Sequence, residues 1–87
     1  MRLAAFEAER GEDWKRLQDA LARAGGRPER LGPAGVQELG ALYRGAAADL
    51  AYARRRFPGD PVVSRLEALV VAGRGAVYGQ APRGACP

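Results

Sequence analysis

Histidine is absent, cysteine occurs once, at Cys86 near the end, and no uninterrupted apolar run is longer than residues 68–72. Without a Cys/His cluster the sequence offers no zinc or haem site, and one cysteine makes no disulfide framework. Without a stretch of about 20 apolar residues, nothing in it spans a bilayer. The start, Met1-Arg2-Leu3-Ala4-Ala5-Phe6-Glu7, turns acidic before an apolar segment of signal-peptide length can form. The paired glycines Gly25-Gly26 are not a phosphate loop, because no strand precedes them and neither the GxGxxG spacing nor a following Lys-Ser/Thr is present. No nucleophile is paired with a base. Glu38 and Asp49 lie too far apart along one helix to work as an acid/base pair, so the sequence predicts no enzyme, no cofactor and no metal.

What is present is arginine, alanine and glycine. The net charge of +4 comes from thirteen arginines and a single lysine among 87 residues. Such a balance suits a nucleic-acid or anionic-lipid surface, but the charges are scattered, as they are when a GC-rich genome spreads Arg over solvated helix faces. At this length there is one domain at most, and its core supplies only a few kcal/mol of net stability.

Helical spacing organises that domain. Val36, Leu39, Tyr43, Ala46, Leu50, Ala53 and Phe57 follow a three-then-four rhythm that lines them up on one helix face. Phe57-Pro58-Gly59-Asp60-Pro61 then stops one helix and starts the next: the residue before a proline is pushed out of the helical region, glycine allows a tight reversal, and Asp60 caps a helix with Pro61 at its first position. An earlier stripe joins Leu3, Phe6, Arg10, Trp14, Leu17 and Leu21, and a later one Val62, Val63, Leu66, Leu69, Val70 and Val77. The expected fold is an all-α antiparallel three-helix bundle over residues 1–79, with helices at about 3–24, 33–57 and 61–78 and a disordered tail over residues 80–87. Phe6, Trp14, Leu17, Leu21, Leu39, Tyr43, Leu50, Phe57, Leu66, Leu69 and Val70 are its expected core.

Two charged features stand out. Arg10 interrupts an apolar stripe, and because an unpaired buried guanidinium is costly, it either snorkels its head to the rim or meets an acidic partner. In a helical hairpin turning near Glu29, positions whose numbers sum to roughly 58 lie level, which puts Asp49 beside Arg10 as an interhelical ion pair. Arg54, Arg55 and Arg56 close the second helix, where the helix dipole favours cations; they point in three directions and form a candidate interaction surface rather than a focused phosphate site.

The order Phe6, Arg10, Trp14, Leu17, then Leu42-Tyr43-Arg44, Asp49-Leu50-Ala51-Tyr52-Ala53-Arg54, Phe57-Pro58-Gly59-Asp60-Pro61, Leu66, Leu69-Val70 and Tyr78 resembles the amino-terminal, cytoplasmic helical region of the stage II sporulation protein M family. Members of that family continue into several transmembrane helices. In endospore formers the family member belongs to a membrane complex with peptidoglycan-degrading partners. The resemblance implies a non-enzymatic scaffold or interaction domain with protein partners, on the cytoplasmic side of the membrane, reaching the bilayer only through a region beyond these residues. On that reading the chain is a truncated or frame-shifted product or a fragment. The alternative is a small basic nucleic-acid-binding domain, distinguished by steep salt dependence of DNA binding.

Overall fold

The computed structural model describes residues 2–25 and 27–78. Helix α1 spans Leu3–Ala24, a short 3-10 turn Pro28–Leu31, helix α2 Gly32–Arg56 and helix α3 Pro61–Tyr78. No strand occurs among the described residues, and the protein is an all-α three-helix arrangement. The tail expected over residues 80–87, with Cys86, lies outside the described residues.

The breakers act where their chemistry dictates. Helix α1 ends at Gly25, whose N–H donates to the Leu21 carbonyl at 3.1 Å. Helix α2 ends one residue before Phe57, which leaves helical geometry at φ −131°, ψ 53° while its N–H still reaches the Ala53 carbonyl. Gly59 takes φ +84°, a conformation that L side chains resist. The Val62 N–H then donates to Asp60 Oδ1 at 2.9 Å, so Asp60 satisfies an orphan donor of the first turn of α3. A cap of this kind contributes about 1 kcal/mol.

Side-chain pairs set the directions. Phe6, near the start of α1, meets Tyr52 and Phe57 at the end of α2, with ring centroids 5.1 and 5.6 Å apart. Arg54 near the end of α2 pairs with Glu67 in the first half of α3, whereas Tyr43 lies against Gly73 further along. Helices α1 and α2 are therefore antiparallel, as are α2 and α3, and α1 runs parallel to α3. Phe6, Trp14, Tyr52 and Phe57 cluster at the end of the bundle that carries the α2–α3 turn. Each such aromatic pair adds about 0.5 to 1.5 kcal/mol beyond the area it buries.

The core differs in detail from the expected stripes. Trp14, Leu17, Leu39 and Leu66 are fully buried, with Phe6, Leu50, Val62 and Leu69 around them. Ala20, Ala24, Ala46 and Ala53 are buried too, and short side chains at these positions let the helices close. Leu21, Tyr43, Phe57 and Val70 are only half-buried. Leu21 floors an open groove, Phe57 sits on the turn, and Tyr43 lies along the α2–α3 seam. Val36 is 40% exposed. Tyr43 is already level with Gly73, so Val36, two turns further out along α2, lies past Tyr78, and among the described residues α3 does not reach far enough to cover it.

No helix among the described residues is long and apolar enough to cross a membrane.

Candidate interaction surface

Arg10 and Trp14 are four residues apart on α1 and so share a face. Both meet one carboxylate on α2. Arg10 Nε–H donates to Asp49 Oδ2 at 2.8 Å, and the Trp14 indole N–H donates to the same oxygen at 2.9 Å. Arg10 Nη1 also reaches Asp13 Oδ2, at 3.2 Å, one turn along its own helix. The structure thus brings Arg10 and Asp49 together, and adds an indole that the register argument did not include. The signal for it was present: a buried indole N–H needs an acceptor, and Trp14 stands one turn from the arginine whose partner was in view.

The hydrogen bond that Arg10 donates to Asp49 holds its guanidinium above the ordinary pKa; partial burial opposes the shift, and the charges of Asp49 and Asp13 reinforce it. Because the folded-state value is raised, the associated stability is complete below the ordinary guanidinium range and is lost only as pH climbs through the raised value. Over neutral pH Arg10 remains a fixed charge. A shallow depression of about 290 Å³ opens beside it, lined by Phe6, Glu9, Arg10, Asp49 and Tyr52. Among the described residues there is no group of three or more His, Cys, Asp or Glu side chains that could hold a metal ion.

Arg54, Arg55 and Arg56 are all exposed in the last turn of α2. The structure does not gather them into one patch, because Arg54 Nη2 turns to Glu67 Oε2 at 3.1 Å. Both partners are about half exposed, so this pair contributes little to stability and chiefly orients Arg54 toward α3.

The third feature was not read from the sequence. Between α1 and α3 runs a groove of about 420 Å³ lined by Gln18, Leu21, Arg65, Ala68, Leu69 and Ala72. Leu69 is buried at its base, while Leu21 is half-buried and Ala68 and Ala72 are exposed, so the groove keeps an apolar surface. At one end the Arg65 guanidinium lies 5.2 Å from the centre of the Trp14 ring, a cation–π placement.

Residues 4–79 match a family described as a domain of unknown function, DUF8413. The chain belongs to the DUF8413 family. No curated protein and no solved structure matches it. The DUF8413 match takes in α2 and α3 whole and α1 from its second residue. The Arg10–Trp14–Asp49 tie, the terminal arginines of α2 and the α1–α3 groove therefore all belong to the DUF8413 region.

Proposed function

We propose that this domain is a non-enzymatic protein-interaction module, a helical scaffold of the kind that stage II sporulation protein M places on the cytoplasmic side of a membrane complex. The observation that carries the reading is how the bundle uses its polar groups. Its best-placed carboxylate, Asp49, is engaged by Arg10 and Trp14 in holding α1 to α2, whereas the groove between α1 and α3 has an apolar floor open to solvent. A rigid frame with an uncovered apolar surface suits docking of another polypeptide. The ordered series of motifs from Phe6 to Tyr78 supports the likeness to the sporulation family, and with it a partner in a membrane assembly.

The exposed Arg55 and Arg56 favour a second reading, contact with nucleic acid. One experiment separates the two. A photo-crosslinking residue is placed at Arg55 and, separately, at Gln18 in the host, and adducts are isolated from membrane and nucleic-acid fractions. Discrete adducts with membrane proteins are expected. Adducts with nucleic acid alone, together with salt-sensitive duplex binding that Arg55→Ala and Arg56→Ala weaken, would replace the scaffold reading with the second one.

A further inference from the structure

Among the described residues, Arg65 is the only charged one lining the α1–α3 groove. Its guanidinium rests over Trp14, and among the described residues no carboxylate pairs with it. By contrast, Arg10 and Arg54 are both paired with acids across helices. A guanidinium stacked on an aromatic ring keeps its planar fork of N–H donors free at the edge, and a carboxylate is the group that fits that fork in a bidentate manner. Beside it the half-buried Leu21 and the exposed Ala68 and Ala72 present an apolar surface over buried Leu69, along the two helical turns from Arg65 to Ala72.

Resting on the interaction-module reading, we infer that this groove docks an amphipathic helix of another protein, with an Asp or Glu at one end of its apolar face that pairs with Arg65. The incoming helix packs as a fourth member of the bundle. Its apolar side chains at i, i+3 or i+4 and i+7 cover Leu21, Ala68 and Ala72, and the two short alanines permit close approach of its backbone. The acid sets direction and register at the Trp14 end, as a single charge pair does in helical assemblies. The lining residues carry no acid to repel such a partner, and a basic one would meet Arg65 unfavourably.

The probe is a synthetic amphipathic helix of about 18 residues, with leucines at helical spacing and glutamates at one end of the apolar face; a twin carries lysines instead. Trp14 is the sole tryptophan and lies under Arg65, so its emission reports occupancy of the groove without a label. The glutamate peptide is expected to change Trp14 emission and to shift the backbone amide resonances of Gln18, Leu21, Ala68 and Ala72. Binding should weaken at least about tenfold with Ala68→Arg, which fills the groove. Arg65→Glu should invert the preference between the two peptides, and Val71→Asp, on the outer face of α3, should leave the affinity unchanged. Circular dichroism checks that each variant is folded.

Three outcomes overturn the inference: neither peptide binds; binding ignores both Ala68→Arg and Arg65→Glu; or sedimentation shows a second copy of this chain occupying the groove. If membrane-protein adducts form from Arg55 while the groove takes neither peptide, the scaffold reading stands and the docking site falls. If the peptides bind as expected but only nucleic acid is captured in the host, the reverse holds.

Discussion

The two seams that α1 makes with its neighbours are built on opposite plans. Against α2, α1 presents Arg10 and Trp14, and one oxygen of Asp49 accepts from both. Against α3, it presents Gln18 and Leu21, which face Ala68, Leu69 and Ala72 across an open groove. The first seam is directional. It determines which residues lie level, because sliding α2 by one turn would strand a buried indole N–H and a half-buried guanidinium. The second seam is apolar, carries no such lock, and ends at an arginine with no carboxylate partner among the described residues. A directional seam defines the bundle, and an unlocked apolar one leaves room for an added helix.

Trp14 belongs to both seams, since its indole N–H serves Asp49 while its ring carries Arg65. Trp14→Ala should therefore have the largest effect, a loss of about 3 to 5 kcal/mol, which a domain of this size barely survives. Thermal melting followed by circular dichroism measures it, and a melting temperature near that of the parent would remove Trp14 from the centre of the comparison.

Asp49→Ala tests the directional seam alone. Leaving the Trp14 N–H and Arg10 without their acceptor should cost about 1 to 3 kcal/mol in urea unfolding. In a double-mutant cycle Arg10→Ala and Asp49→Ala should be non-additive by about 0.5 kcal/mol or more, and strict additivity would mean that the ion pair does not hold the register.

The seam between α2 and α3 sharpens the contrast through two glycines on one helix. A Cβ at Gly73 would lie 2.9 Å from Tyr43 Cδ1, whereas one at Gly75 meets nothing within 4 Å. Gly73→Ala should destabilise by about 1 to 3 kcal/mol through overpacking. Gly75→Ala should instead stabilise by about 0.5 to 1 kcal/mol, because helix propensity acts there without a steric opponent. Equal effects in denaturant titrations would show that the seam is looser than the Tyr43 contact implies. The smallest change belongs to Val71, 70% exposed on the outer face of α3. Val71→Ser should move stability by less than about 0.5 kcal/mol, and a larger loss would reveal that this face packs against something in solution.

Much of the bundle was legible because its signals are local. The three-then-four spacing on each helix, the reversal at Pro58, Gly59 and Asp60, and the need of Arg10 for the rim or an acid all depend on residues near one another in the chain or on one hairpin register. Other features were not legible. The burial of Ala20 and Ala24 depends on how far α1 is rotated about its axis, and alanine is tolerated on either face, so composition does not reveal it. The exposure of Val36 depends on how the described part of α3 is offset along α2, which no pattern within α2 encodes.

The sequence by itself determined the all-α class, the number of helices and their turning points, because periodicity, glycine, proline and capping chemistry act over a few residues. It also narrowed Arg10 to two outcomes, a head snorkelled to the rim or an acidic partner, since an unpaired buried guanidinium is costly. Only the tertiary structure decided that Trp14 shares Asp49 with Arg10, that Tyr43 lies on Gly73, and that Arg65 rests on the Trp14 ring. Those three contacts join residues 35, 30 and 51 positions apart across different helix pairs, and their existence depends on the rotation and offset of whole helices, quantities set by the sum of all packing contacts rather than by any one residue.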